Sequence, residues 1–141
     1  MCLTVTIRAL GLDRTEADQV AASFTNRDLL RVEVGQSKGL QEDPVLLLSE
    51  EGGCACSLLA DDADWDAETW SMEEHAARRL AGTLEELGRT LKGTVVVEAL
   101  WNGDGPEEVA DLSWPELVSL ARRSRLSTAT SYSVGGREGI D

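Results

Sequence analysis

The sequence predicts a single α+β domain in which about three helices pack on a mixed, mostly antiparallel sheet. Three observations support this fold class. The chain of 141 residues suits one domain, no linker or internal repeat divides it, and strand and helix patterns alternate in the order β-α-β-β-β-α-β-β-α-β. We place the domain at residues 1–134 and expect residues 135–141, rich in glycine and charge, to form a disordered tail.

The first 49 residues contain three strand patterns and one helix pattern. Alternating apolar and polar residues predict strands at residues 3–9 and 30–34. Between them, Asp13 and Glu16 have the spacing of a capping box, and apolar residues at helical spacing follow. The continuous apolar run Val45–Ser49 predicts a strand inside the sheet rather than at its edge.

A pair of cysteines follows this run. Gly52-Gly53 favours a tight reversal, so residues 54–59 are expected to return as the second strand of a hairpin. Cys54 and Cys56 then point to the same side, roughly 6–7 Å apart, which is too far for a direct disulfide without a bend. We interpret them as small buried side chains. A thiol- or metal-dependent enzyme that uses Cys54 or Cys56 with His75 is a third functional hypothesis.

The clearest helix is predicted to begin at Ser71, because Ser71 and Glu74 have the form of a second capping box. Gly93 is expected to end the helix. The run Thr94–Trp101 is apolar on both faces apart from one glutamate, which indicates a central strand. The predicted apolar stripe of the helix consists of Met72, Ala76, Leu80, Leu84, Leu87 and Leu91.

The C-terminal part is predicted to add two strands and one helix. Residues 107–112 are expected to form a short strand that pairs back against the preceding one. Ser113 and Glu116 form a third capping box, with Pro115 in the first turn, where its missing amide is harmless. Alternation at residues 127–134 predicts the last strand.

Charge and cysteine content restrict the class of partner and the compartment. The formal net charge of −13 repels phosphate backbones, so we exclude nucleic acid and favour cationic proteins, peptides or divalent cations. No apolar run approaches the ~20 residues that span a bilayer, so no membrane association is expected. Three cysteines, an odd number, and the lack of a secretory leader indicate a soluble protein of the reducing cytoplasm.

Four carboxylates have a spacing typical of metal binding. Asp62, Asp64, Asp66 and Glu73 stand at relative positions 1, 3, 5 and 12, the spacing of the carboxylates in an EF-hand calcium loop. Glu73 lies near the apolar stripe and is expected to point inward. Ala67 stands where that loop has glycine, so we do not assign the chain to the family. Two alternatives stay open: a divalent-cation site, and a solvated loop whose carboxylates favour a helix N-terminus.

Two of the four tryptophans, Trp65 and Trp70, lie within the acidic segment 61–70. Large rings in a polar loop either fold back on the core or contact a partner. Together with Asp61 and the other carboxylates, exposed rings would suit a basic protein or peptide surface. Our leading hypothesis is therefore a non-catalytic interaction or regulatory domain, and the divalent-cation site is the alternative. No cofactor is expected apart from such a cation.

Overall fold

The computed structural model describes residues 3–9, 11–24, 28–35, 44–49, 58, 71–91, 93–101 and 107–135. These residues form a single α+β domain with three helices and a six-stranded open sheet, as predicted from the sequence. In chain order the elements are β1 (Leu3–Ala9), α1 (Arg14–Ser23), β2 (Arg31–Gly35), β3 (Val45–Ser49), α2 (Glu74–Thr90), β4 (Thr94–Trp101), β5 (Glu108–Leu112), α3 (Trp114–Arg122) and β6 (Thr130–Gly135).

The strands lie in the order β2-β3-β1-β4-β6-β5. All neighbouring strands are antiparallel except β5 and β6, which are parallel. The predicted positions of β3 and β4 inside the sheet are confirmed. The pairing predicted for β5 was wrong: β4 is bonded on both sides by β1 and β6, so β5 joins the free side of β6. Helix α3 supplies the crossover that two parallel strands require.

The core lies between one face of the sheet and the three helices. Strand residues whose side chains point to this face, such as Ile7, Leu46 and Val95, are fully buried there. The predicted stripe of α2, from Met72 to Leu91, is buried at all six positions. Strand residues whose side chains point to the other face, such as Leu47 and Val96, are half-buried. The helices therefore cover one face of the sheet.

A buried threonine links α2 to the chain in front of β2. The Thr83 hydroxyl accepts the backbone N–H of Leu30 (2.8 Å) and donates to the Arg79 carbonyl in the preceding turn (2.7 Å). Both bonds satisfy polar groups that would otherwise be buried without a partner. The side chain of Thr83 is fully buried, so this link fixes where α2 sits over the sheet.

Two of the three predicted capping boxes are present. Asp13 caps α1 by accepting the Glu16 N–H (2.8 Å), and Ser113 caps α3 by accepting the Glu116 N–H (3.2 Å). In each box the glutamate accepts the backbone N–H of the capping residue. Both short helices are thus fixed at their first turn by local sequence.

The box predicted at Ser71 was wrong. Helix α2 begins at Glu74, and its N-terminal flanking residue is Glu73, whose side chain makes no capping hydrogen bond. A box at Ser71 requires a helix that begins at Met72, whereas α2 begins two residues later. The backbone N–H of Met72 donates to Oγ of Ser124 (2.7 Å) and Met72 is buried, so tertiary contacts hold this residue in front of the first turn.

Two further predictions fall mainly outside the described residues. The expected hairpin strand at 54–59 is represented by Leu58 alone, which is fully buried and has a 3₁₀-helical rather than a strand backbone. At the C-terminus, Gly135 is the last residue of β6 and pairs with Thr94. The remainder of the predicted tail, residues 136–141, lies outside the described part of the chain.

Candidate interaction surface

Most residues that the sequence marks as a site lie outside the described part of the chain. These residues are Cys54, Cys56, Asp61, Asp62, Asp64, Trp65, Asp66 and Trp70. Glu73 and His75 are described, and both are exposed at the beginning of α2. The inward orientation expected for Glu73 is wrong, because that residue is exposed and precedes the first helical turn.

Metal-ligating side chains do not cluster within the described residues. No group of three or more His, Cys, Asp or Glu residues there could hold a metal ion. Of the four carboxylates in the cation hypothesis, the structure describes only Glu73. That hypothesis therefore stays a prediction.

The described chain leaves β3 and returns in front of α2 at the same end of the sheet. The described chain ends at Ser49, the last residue of β3, and resumes at Ser71 in front of α2, apart from Leu58. Strands β3, β1, β4 and β6 are successively antiparallel, and β5 is parallel to β6. The end of β3 and the beginnings of β5 and β6 therefore lie at the same end of the sheet, with β3 and β5 four strand positions apart. We call this end of the sheet the Ser49 end.

Ser124 fixes the return of the chain at the Ser49 end. Helix α3 starts after the end of β5 and runs back toward the beginning of β6, so its last turn lies at this end. There Ser124 accepts the Met72 N–H (2.7 Å), and its hydroxyl lies 3.4 Å from the Met72 carbonyl. Ser124 has a φ of 59°, a left-handed conformation that is uncommon outside glycine. The residues in front of α2 are therefore held at the Ser49 end.

Charged side chains of both signs surround this end. Glu107 and Glu108, at the beginning of β5, are exposed. Arg122 in the last turn of α3, and Arg123 and Arg125 after it, are exposed, at the end of the helix where cations interact favourably with the helix dipole. The carboxylates lie at the sheet edge and the arginines belong to the helix layer.

Strand β5 is an edge of the sheet, and its hydrogen-bond pattern shows which backbone groups face outward. The N–H of Glu108 donates to the carbonyl of Ala129 (3.1 Å), and Glu108 is in register with Thr130. In a parallel ladder, alternate residues direct both peptide groups to the same neighbour. Glu108, Ala110 and Leu112 therefore face β6. The N–H and C=O groups of the two intervening residues face away from the sheet.

Those two intervening residues are Val109 and Asp111. Val109 is 74% exposed, and within the described residues it is the only large apolar side chain that is exposed. Asp111 is exposed on the same face of the strand. Ala110, on the other face, is half-buried against the core. The edge thus combines two outward-facing pairs of peptide groups, one exposed apolar side chain and several carboxylates.

Two clefts lie elsewhere on the described surface. One, of about 520 Å³, lies between α1 and the end of α2 and is lined by residues that include Leu12, Glu16 and Leu91. The other, of about 330 Å³, lies beside Trp114 and Arg122. No histidine or cysteine is among the described residues that line either cleft.

Comparison of the chain with protein-family models, with curated proteins and with solved structures finds no match. Its function must therefore be argued from the surface itself rather than from the fold, since one fold supports many functions. None of the described helices is both long enough and apolar enough to cross a membrane.

Proposed function

We propose that this protein is a non-catalytic interaction domain that binds a basic protein or peptide, with the acidic segment 61–70 as its principal contact. The observation that carries the proposal is the local concentration of charge. Five of the 26 acidic residues and two of the four tryptophans lie in these ten residues, without a lysine or arginine among them. The described residues that follow the segment, Ser71 and Met72, lie at the Ser49 end, whose exposed side chains carry charges of both signs.

The carboxylates and the aromatic rings have different roles in this proposal. A dense negative charge attracts a cationic partner and raises the rate of association, more strongly at low salt. Trp65 and Trp70 supply the large contact area typical of interface anchors, and a tryptophan ring also attracts lysine and arginine side chains. We place this binding in the cytoplasm; the support is the odd number of cysteines.

If the acidic segment is the contact, removing its negative charges should weaken binding, whereas removing as many charges from another part of the surface should not. We expect the variant Asp61→Asn/Asp62→Asn/Asp64→Asn/Asp66→Asn to bind a fluorescein-labelled deca-arginine peptide about tenfold or more weakly than the natural protein, a loss of about 1.4 kcal/mol or more. Fluorescence anisotropy at two salt concentrations measures this affinity. The double variant Trp65→Ala/Trp70→Ala should weaken binding at both concentrations, because an aromatic contact is less sensitive to screening.

A control variant removes the same amount of charge elsewhere. Asp18→Asn, Glu33→Gln, Glu85→Gln and Glu86→Gln together also remove four negative charges, and the surface ion pairs of the three glutamates contribute little to stability. We expect this control to change the affinity less than about twofold. Equal losses in the two variants would show that only net charge attracts the peptide, and the proposal would then be wrong.

A divalent-cation site is the second candidate. Its support is the 1, 3, 5, 12 spacing of Asp62, Asp64, Asp66 and Glu73, together with the exposure of Glu73 and the absence of a capping bond from its side chain. Oxygen ligands of this type suit calcium.

The cation hypothesis predicts a calcium-dependent stability. Calcium at one hundred times its dissociation constant should stabilise the domain by about 2.7 kcal/mol, seen as a higher melting temperature that a chelator reverses. Glu73→Gln should abolish the effect. The neighbouring Glu74→Gln should preserve it, because Glu74 already pairs with Arg78 (2.8 Å) on the outer surface of α2. An unchanged melting temperature and tryptophan fluorescence at millimolar calcium would refute the site.

A further inference from the structure

We propose that the free edge of β5 binds an extended basic peptide, which adds to the sheet as a further strand. This site is separate from the acidic segment 61–70 and is argued from described residues alone. It therefore stands whether or not that segment binds a partner.

The backbone of β5 is arranged to accept a strand. Val109 and Asp111 direct their N–H and C=O groups away from β6, which gives four hydrogen-bonding groups along the edge. Within the described residues, none of these groups has a protein partner. An extended peptide that pairs with an exposed edge gains its affinity from main-chain hydrogen bonds of this kind.

The side chains of β5 select the chemistry of that peptide. Val109 offers an exposed apolar contact on the face away from the helices, and Asp111 offers a carboxylate on the same face. Glu107 and Glu108 add charge at the beginning of the strand. Opposite charges and β-branched side chains on neighbouring strands stabilise each other. The edge therefore fits an alternating segment with lysine or arginine on the face of Val109 and Asp111, where the aliphatic stems of these cations can also cover Val109. The valine, isoleucine or threonine side chains of that segment then lie on the other face, beside Ala110 and Leu112.

A second copy of the chain is a poor occupant of the same edge. Pairing β5 with β5 would bring the acidic residues of one copy, such as Glu107, close to those of the other, such as Asp111, and like charges on adjoining strands are destabilising. Each copy also carries a net charge of −13. Acidic edges of this kind suppress self-association. The same carboxylates attract a cationic strand, so the charge that excludes a dimer favours the basic peptide.

Hydrogen exchange of individual amides tests the pairing directly. The probe is a synthetic peptide with alternating lysine and valine, and the protein is the full chain at low salt. On saturation with the probe, the N–H groups of Val109 and Asp111 should exchange about tenfold more slowly, as expected for newly formed hydrogen bonds. The N–H groups of Ala110 and Leu112 already face β6 and should change little. A peptide of alternating glutamate and valine should protect none of them.

A proline substitution tests the same geometry by affinity. Val109→Pro removes an N–H that faces solvent, so the fold should be kept, and the labelled lysine–valine peptide should bind about tenfold more weakly. Val109→Thr keeps both the N–H and the β-branched shape, and it should bind within about threefold of the natural protein. Asp61→Asn/Asp62→Asn/Asp64→Asn/Asp66→Asn should still show the protection at Val109 and Asp111, which separates this site from the acidic segment.

Three results would overturn the inference. One is no binding of the lysine–valine peptide. Another is binding without slower exchange at Val109 and Asp111, which would place the peptide elsewhere on the acidic surface. The third is equal affinity of Val109→Pro and the natural protein. If Val109→Pro fails to fold, as judged by circular dichroism, the exchange experiment on the natural protein decides alone.

Discussion

Replacing Gly135 with alanine is expected to lower the free energy of unfolding by about 2–5 kcal/mol. Gly135 ends β6 with a φ of 83°, a left-handed conformation that costs other residues about 1–2 kcal/mol. A Cβ atom there would also lie 2.8 Å from the Gly93 carbonyl oxygen and 3.2 Å from Nε1 of Trp114. Crowding of this kind in a packed site costs about 1–3 kcal/mol. At Gly135 the backbone cost and the crowding cost both apply, so they add in the free energy of unfolding.

Gly11→Ala is the matched control. Gly11 has nearly the same φ, 86°, but no described atom lies within 4 Å of the position that a Cβ atom would take there. We expect Gly11→Ala to cost only the conformational term of about 1–2 kcal/mol. Both substitutions reduce the entropy of the unfolded chain in the same way, so that contribution cancels in the comparison. Urea unfolding curves measure the loss in free energy of unfolding for both variants. Equal losses would mean that β6 shifts away from Gly93 and that the contact does not limit the fold.

Features of the fold that depend only on neighbouring residues could be predicted from the local sequence. The capping boxes at Asp13 and Ser113 were predicted correctly because each closes within one helical turn. The same motif at Ser71 failed, although the residue types are right. There α2 begins at Glu74 rather than at Met72, and Met72 in front of it is bonded to Ser124, which is 52 positions away in the sequence. A local pattern contains no information about such a distant acceptor.

The partner of β5 could not be predicted for a similar reason. A short strand that follows a turn is expected to fold back on its predecessor, but β4 already has neighbours on both sides. Whether an edge is open depends on the order of all six strands. The acidic segment 61–70 was recognised from its composition, whereas the edge at Val109 was missed. The only sequence signal for that edge was a valine among the acidic residues Glu107, Glu108 and Asp111.

Sequence also left open how many faces of the sheet are covered. The run Val45–Ser49 is apolar at four successive positions, which suits a strand buried on both sides. In the structure, Leu46 is fully buried beside Ile7 and Val34, whereas Leu47 lies beside Thr6 and Glu33 and is half-buried. The apolar run therefore reflects an internal strand with one face toward the helices and one face partly toward solvent.

Leu46→Ala and Leu47→Ala together test this one-sided core. Leu46→Ala should lower the free energy of unfolding by about 2–5 kcal/mol, because it removes buried methyl groups and leaves a cavity. Leu47→Ala should cost about 1 kcal/mol, since a half-buried side chain loses less apolar burial and solvent can fill the space. The two variants remove the same atoms from adjacent residues, so urea unfolding compares the two faces directly. Equal losses would show that a second layer covers the face of Leu47, and that face would then be closed to any partner.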